Sequence, residues 1–303
     1  MKKIVTLLVA LVLSLSCVAC LADGIGVDSL TIQFVPTNTE TADATTAEFS
    51  AYMTKLLGVP VTVTVATGYN AIVEAMESGT VDVGIMPPAT YAQAREMGVA
   101  KAILSSTLTD YDQETELSIP GTVVGNFKAE VLVRADSGIN GYEDLAGKTI
   151  AYLGASSASG YIYPVAEMKK LGIDTESCNW VNITAVPSAI LAVVKGQADA
   201  CFTFEGSRFV FANACLDDNG NPYDLYKELK VAKLSDGDIP NDAVAVNTKL
   251  SDETAKAVTD AFLAMAADEA GLQIMSAWGH NGYVPAVEAD YDTIAEYIAL
   301  AAD

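Results

Sequence analysis

The segment Gly154–Tyr161, with the sequence GASSASGY, carries residue types suited to holding an anion. It lies between a predicted strand, Thr149–Leu153, and a predicted helix, Ser159–Leu171. The first turn of a helix presents unpaired N–H groups and a partial positive charge, and small residues let a ligand approach the backbone. Hydrogen bonds to a charged partner contribute about 1.5–3 kcal/mol each, so four or five donors suffice without lysine or arginine. A serine here also caps a helix, and the local pattern leaves both interpretations open.

Other apparent motifs do not support a different chemistry. Gly147-Lys148-Thr149 ends like a phosphate-binding loop, but Tyr142 stands where the first glycine is required. The chain has one histidine, His280, which cannot build a histidine-rich metal site, and we expect it to be a loop residue without a catalytic role. The sequence therefore predicts no cofactor and no metal. A secreted hydrolase that pairs a serine of the segment with His280 remains the alternative from another class, although no Gly-x-Ser-x-Gly elbow occurs.

Strands and helices alternate along the chain, which predicts an α/β fold with parallel strands. The run Val123–Val133 is predicted to be one long strand that bridges two halves. The two final helical stretches, Asp252–Ala267 and Glu269–Ala277, are expected to close the chain. The other predicted strands are Leu30–Val35, Val61–Val65, Val81–Ile85, Ala102–Leu104, Trp180–Thr184, Ala198–Thr203 and Ala243–Val246; the other predicted helices are Thr45–Leu57, Tyr69–Glu77, Thr90–Met97, Ser188–Lys195 and Gly206–Cys215.

Several segments, taken in chain order, resemble motifs of one family. Ser156–Gly160 is similar to the Ser-Ser-Thr-Ser-Gly signature of the phosphate/phosphite/phosphonate-binding proteins of ABC transporters, the PhnD-like family. Gly68-Tyr69 before AIVEAMESGTVDVGIM resembles its tyrosine, helix and Gly-x-x-Asp unit. Pro88–Tyr91 resembles its Gly-Pro-x-x-Tyr turn, VLVRADSGINGYEDLAGKTIAY its bridging strand, and Ile239–Asp242 its Pro-Asn-Asp turn. The ordered matches extend from about residue 30 to about residue 250.

The resemblance implies how the ligand is held. The hydroxyls of Ser157 and Ser159, with the backbone N–H groups of residues 157–160, would contact an oxyanion, and two tyrosines would contact it from the other lobe. Ala158 stands at the usual threonine position, so one hydroxyl donor is missing, and we expect Ser156 to compensate. The predicted site residues are Tyr69, Tyr91, Ser156, Ser157, Ala158, Ser159, Gly160, Glu205 and Asp242.

The two carboxylates in this set indicate what else the ligand carries. Asp242 matches the aspartate of the Pro-Asn-Asp turn, and Glu205 follows the strand that ends in ACFTF. An acid in an anion site is electrostatically adverse unless it faces a cation. An aminophosphonate fits both requirements, with its phosphonate at the serines and its ammonium group between the carboxylates. Asp242 as a turn residue and Glu205 as a solvated surface acid are the competing interpretations.

The family resemblance also implies a type II periplasmic-binding fold, in which two α/β lobes joined by a hinge enclose a ligand cleft. Residues 29–132 plus 238–303 would form lobe 1, and residues 133–237 would form lobe 2. The ligand would be a phosphonate, phosphite or phosphate, and the partner an ABC permease that recognises a monomeric, closed binding protein. A sulfonate or an organic cofactor precursor is the alternative ligand, and a scaffold or adhesion lipoprotein is a third alternative.

The N-terminus predicts the cellular location. Lys2 and Lys3 precede an apolar run that is too short to span a bilayer, as in a secretory signal covering residues 1–19. Val18-Ala19-Cys20 resembles a bacterial lipobox, so we expect acylation of Cys20, a tether over residues 20–28 and anchoring on the outer face of the membrane. Ordinary cleavage near Ala19 is the alternative.

Charge and cysteine content add two further constraints. Removing residues 1–19 takes away two lysines and no acid, so the formal charge falls from −22 to −24. Such a surface excludes nucleic acid as a partner and requires local dipoles to hold an anion. Cys178, Cys201 and Cys215 allow at most one disulfide, with Cys201–Cys215 one option and buried free thiols the other.

Overall fold

The computed structural model describes residues 25–35, 39–112, 115, 117–183, 185–275 and 278–302. The predicted signal peptide and Cys20 lie outside these residues. The strands are β1 (Leu30–Phe34), β2 (Val61–Val65), β3 (Val83–Met86), β4 (Ala100–Tyr111), β5 (Ser118–Val124), β6 (Asn126–Phe127), β7 (Ala129–Arg134), β8 (Thr149–Tyr152), β9 (Asn179–Asn182), β10 (Ala200–Phe204), β11 (Leu229–Leu234), β12 (Ile239–Pro240), β13 (Ala243–Asn247) and β14 (Gly282–Pro285).

The helices are mostly those that connect parallel strands. They are α1 (Thr39–Leu57), α2 (Tyr69–Ser78), α3 (Pro88–Glu96), α4 (Tyr163–Lys170), α5 (Val186–Val194), α6 (Ser207–Val210), α7 (Leu225–Glu228), α8 (Asp252–Ala266), α9 (Glu269–Met275) and α10 (Asp292–Ala302). A π-helical turn, Ala158–Ile162, leads directly into α4. None of the helices within the described residues is both long and apolar enough to cross a bilayer.

Two sheets organise these elements. Within the described residues, the first has the order β14-β4-β13-β3-β1-β2 with β5 paired to β4, and the second has the order β11-β7-β10-β8-β9. β1 is parallel to β2 and β3, as expected for strands joined by α1 and α2. Strand β7 spans the predicted lobe boundary at residues 132 and 133 and pairs with the second sheet.

The connection between the sheets differs from the sequence prediction. Val123–Val133 is not one bridging strand, because the chain leaves the first sheet after β5, pairs β6 with β12 and enters the second sheet as β7. The predicted helix Gly206–Cys215 is also wrong, since only Ser207–Val210 is α-helical and turns follow. Two short antiparallel segments, β6 and β12, thus form the crossing between the lobes.

The C-terminal helix α10, which follows β14, contacts both lobes. The prediction that helices ending near residue 277 close the chain is therefore wrong. On one side, Arg95 of α3 donates to the Glu288 carbonyl at 2.9 Å and pairs with Asp292. On the other side, the rings of Tyr163 and Tyr297 stack with centroids 4.0 Å apart. Helix α10 therefore joins α3 of the first lobe to α4 of the second.

The three cysteines of the described residues are free thiols. Cys178, Cys201 and Cys215 are all buried. Burial raises the pKa of the Cys215 thiol to about 11 and that of Cys201 further. Of the two options for Cys201 and Cys215, the structure contains the unpaired thiols.

Candidate functional site

The serine loop (Gly154–Tyr161) lies where β8 ends and the helix begins. Gly154 has a φ of 102°, in the left-handed region that favours glycine, and its carbonyl accepts the Ser157 N–H at 3.0 Å. Ser157 is the N-cap, because its Oγ accepts the Gly160 N–H at 3.1 Å. The capping interpretation of this segment is therefore correct for Ser157. It leaves the Ser157 hydroxyl proton available to another acceptor.

The first turn of this helix is π-helical, and its wide geometry leaves further backbone N–H groups without acceptors. Ile162 N–H bonds to the Ser157 carbonyl at 3.0 Å, five residues back, and Tyr163 N–H bonds likewise to the Ala158 carbonyl. Within the described part of the chain, the N–H groups of Ala158 and Ser159 donate to no acceptor, and neither does the Ser159 hydroxyl. Ser159 is 7% exposed. Buried donors without acceptors are costly, and π-turns are common at functional sites, so this turn has the character of an anion cradle.

A glycine is required at position 160 because neighbouring side chains approach its Cα closely, not because its φ is unusual. A Cβ at this position would lie 2.6 Å from Leu153 Cβ and 2.8 Å from Ser157 Oγ. The Gly160 carbonyl also accepts the Leu153 N–H at 3.3 Å. The glycine thus lets the loop fold back on the first turn and fixes the cradle.

Asp242 is positioned by the histidine that the sequence left without a role. His280 Nε2 lies 3.3 Å from Asp242 Oδ2, and His280 Nδ1 lies 3.2 Å from the Tyr283 hydroxyl. His280 is 2% exposed, whereas the Asp242 side chain is 20% exposed. Burial, with the nearby Asp242 charge, raises the pKa of Tyr69. The charge of Asp242 thus acts on a tyrosine 173 positions away, and contact of either residue with a ligand remains a prediction.

This geometry removes the support for a serine hydrolase. Both ring nitrogens of His280 are engaged by Asp242 and Tyr283, and neither contacts Ser157 or Ser159. A catalytic serine would need the histidine within hydrogen-bonding distance of its hydroxyl.

Tyr91 lies in α3, but its hydroxyl is used within the first lobe. The oxygen accepts the Ala102 N–H at 2.9 Å, and the hydroxyl donates to the Glu288 carboxylate at 2.9–3.0 Å. The ring packs edge-on against Tyr291 at 4.6 Å, and burial is the main cause that raises the pKa of Tyr91. A ligand contact by this hydroxyl remains a prediction, and it would require release from Glu288.

Glu205 is not the solvated surface acid of the competing interpretation. It is 9% exposed, and its Oε2 accepts the Lys128 N–H at 3.2 Å. It lines a small cavity of about 150 Å³ at the crossing between lobes, together with Asp110, Lys128 and Asp238. The serine loop lines a different cavity, so the described residues do not bring Glu205 and Ser156 to one wall.

The larger cavity lies between the lobes and measures about 610 Å³. The second lobe contributes the flank of the serine loop and the turn that follows it, through Ala155, Ser156 and Ile162. Facing them are side chains from α3, from α10 and from the 3-10 turn just before α10, which include Ala89, Thr90, Gln93, Tyr291, Ala295 and Ile298. Its position between two α/β lobes is typical of a small-molecule site.

Comparison with known proteins identifies the family. Residues 32–291 match the family described as periplasmic phosphonate substrate-binding proteins of ABC transporters. The chain belongs to this family. It is 28% identical over 292 residues to the phosphate-import protein PhnD of Mycolicibacterium smegmatis, a match that covers 88% of this chain and 84% of that protein.

Solved structures of binding proteins share the fold. A binding protein component of an ABC phosphonate transporter from Pseudomonas aeruginosa has a TM-score of 0.69 and 16% identity, over 90% of this chain and 86% of that one. PhnD1 from Prochlorococcus marinus, in complex with methylphosphonate, has a TM-score of 0.66 and 15% identity, over 89% and 97% of the two chains. These comparisons confirm the type II periplasmic-binding fold and the family resemblance of the sequence. As in its phosphonate-binding family, the protein is an exported substrate-binding component of an ABC transporter.

Sequence reasoning missed three features of this phosphonate-binding protein. The pairing of His280 with Asp242 had no local signal, because the two residues are 38 positions apart. Helix α10 had a signal in the spacing of Ile294, Tyr297 and Ala301, which share its buried face. Thr90, beside Tyr91, lines the larger cavity. No cluster of three or more metal-binding side chains occurs in the described ranges.

Proposed function

We propose that this protein captures a phosphonate or a related phosphorus oxyanion and delivers it to an ABC permease, from a lipid anchor at Cys20. The single observation that supports this ligand class is the cradle of unused donors: the N–H groups of Ala158 and Ser159 and the Ser159 hydroxyl. No lysine or arginine is needed there, because a helix N-terminus stabilises an anion through its N–H groups and dipole.

Transport follows from closure of the two lobes. The oxyanion seats on the serine loop of lobe 2 (133–237), and contacts from lobe 1 (29–132 plus 238–303) stabilise the closed form. The ligand biases an open–closed equilibrium by the contacts that only the closed form makes. The β6–β12 crossing is the natural hinge, since it consists of two short paired segments. The protein acts as a monomer and catalyses nothing.

Ser159→Ala is expected to weaken oxyanion binding by about 1–3 kcal/mol, because it removes a charge-assisted donor at a buried residue, Ser159, that is 7% exposed. Isothermal titration calorimetry with methylphosphonate, phosphite, phosphate and methanesulfonate measures the effect and ranks the ligands. Ser137→Ala, on an exposed turn of the second lobe, is the control and should bind as the wild type does. Equal affinity of wild type and Ser159→Ala would move the site elsewhere, and a preference for the sulfonate would contradict the proposed ligand.

Asp242→Asn is expected to weaken binding of 2-aminoethylphosphonate more than binding of ethylphosphonate. The carboxylate, held by His280 and 20% exposed, offers a negative charge to an ammonium group, and the amide does not. The deaminated compound serves as the internal control, because it keeps the phosphonate. Calorimetry of both ligands against both proteins gives the comparison. The same loss for each compound would show that Asp242 does not contact the amine.

A further inference from the structure

A buried hydroxyl without a hydrogen-bond partner lies on the first-lobe wall of the inter-lobe cavity. Thr90 is 2% exposed, and its Oγ1 has no partner among the described residues. Of the eight buried side-chain atoms without partners in this part of the chain, Thr90 Oγ1 alone belongs to a residue that lines either of the two cavities. Buried hydroxyls in native proteins are nearly always satisfied, so this one requires an explanation.

The opposite wall of the same cavity is the flank of the serine loop. Ser156 and Ile162 line it, and Ile162 is four residues beyond Ala158, on a neighbouring position of the same helical face. Ala158 is the position where the family motif has a threonine, so this side of the cradle lacks one hydroxyl. Thr90 therefore lies on the cavity wall opposite Ser156 and Ile162, which flank the position where the second lobe lacks a hydroxyl.

Neighbouring groups hold Thr90 in place. It lies in the first turn of α3, which Pro87 and Pro88 start with fixed φ angles. The next residue, Tyr91, is fixed by Ala102 and Glu288, and Arg95, one turn further along α3, is paired with Asp292 of α10. A threonine side chain adds little conformational freedom, since it is branched at Cβ. A rigid first turn thus holds Thr90 at the cavity wall, with its hydroxyl oxygen buried and without a partner among the described residues.

We propose that Thr90 is a ligand-contacting, specificity-determining residue: its hydroxyl donates to the oxyanion from lobe 1 and replaces the donor that Ala158 lacks. This inference rests on the proposed oxyanion-binding function. It assigns Thr90 a contact made only when the lobes are closed, because the cavity wall it occupies belongs to the lobe opposite the serine loop. The ligand then accepts hydrogen bonds from hydroxyls of both lobes. The bond from Thr90 uses one acceptor oxygen of the oxyanion in addition to those bound by the serine loop.

The test compares Thr90→Val with Thr90→Ser and Thr203→Val by calorimetry, with methylphosphonate, phosphite and phosphate as probes. Valine matches the shape of threonine and removes only the hydroxyl, whereas serine keeps it. Thr203 is an equally buried threonine whose Oγ1 also lacks a partner, but it lines neither cavity. We expect Thr90→Val to weaken the best-bound probe about tenfold or more, and the other two variants to stay within about threefold of wild type.

A double variant separates a ligand contact from a packing effect. Ala158→Thr in the Thr90→Val background restores a hydroxyl to the cradle from the other lobe, so it should recover most of the lost affinity. Wild-type affinity in Thr90→Val would overturn the inference while leaving the proposed function intact. Equal losses in Thr90→Val and Thr203→Val would also overturn it. If wild type binds none of the probes, the proposed function fails, and the Thr90 assignment fails with it.

Discussion

Gly160→Ala is expected to weaken oxyanion binding at least a hundredfold while the protein stays folded. The added Cβ would lie 2.6 Å from Leu153 Cβ and 2.8 Å from Leu153 Cγ, so the loop must shift as a whole. That shift breaks the Ser157–Gly160 cap and moves the Ala158 and Ser159 N–H groups out of line with the anion. Losing two charge-assisted hydrogen bonds at about 1.5 kcal/mol each corresponds to roughly a hundredfold or more.

Calorimetry with the best-bound oxyanion gives the affinity, and circular dichroism verifies the fold. Gly141→Ala is the matched control, because its Cβ would meet only the end of the flexible Glu143 side chain. Both glycines have φ outside the left-handed region, so the pair isolates close approach from backbone strain. A Gly160→Ala protein that binds within threefold of wild type would show that the serine loop is not the anion site.

The bounds of the first strands could be predicted because they are set by residues close together in sequence. Strand β2 has the predicted bounds, and β1 and β3 are within two residues, since short β-branched runs there alternate with amphipathic helices. The run from Val123 to Val133 misled the prediction for a physical reason. Both ends of the run are strand-forming, but β5 pairs with β4 and β7 pairs with β10 and β11, so the partners change sheet along one run. Intrinsic strand preference does not specify a partner.

In the candidate site, too, the features set by neighbours in sequence were predictable, and those set by distant residues were not. Small residues between a strand and a helix predicted the serine loop, because strand ends and helix starts are coded by neighbours in sequence. The state of Tyr91 depends on Glu288, 197 positions away, and that of Asp242 depends on His280. Side-chain pairings at such separations leave no periodic pattern. Sequence reasoning therefore proposed donors by residue type and position, and their contact with a ligand remains a prediction. It had no access to which hydroxyls were already used within the protein.

A buried carboxylate is one of the groups that hold helix α10 to the second lobe, beside the stacked rings of Tyr163 and Tyr297. Glu167 of α4 is 4% exposed, and its Oε1 accepts the N–H groups of Asp236 and Gly237 at 2.9 and 3.0 Å and the Tyr297 hydroxyl at 3.3 Å. These donors come from the end of β11 and from α10, two elements separated by about 60 residues in sequence. A charged acceptor that serves three donors is the strongest kind of polar anchor, because losing it leaves all three unsatisfied.

Glu167→Ala is accordingly expected to lower the free energy of unfolding by roughly 3 kcal/mol, measured from urea denaturation midpoints. Glu167→Gln keeps an oxygen at the same position and should lose clearly less, while Tyr297→Phe removes only the hydroxyl bond from α10 and should lose about 1 kcal/mol. If the loss in free energy of unfolding decreases in the order Glu167→Ala, Glu167→Gln, Tyr297→Phe, most of the stabilisation comes from the two backbone hydrogen bonds. If Glu167→Ala and Tyr297→Phe cost the same, the backbone N–H groups of Asp236 and Gly237 contribute nothing, and Glu167 stabilises the protein only through its bond to the Tyr297 hydroxyl of α10.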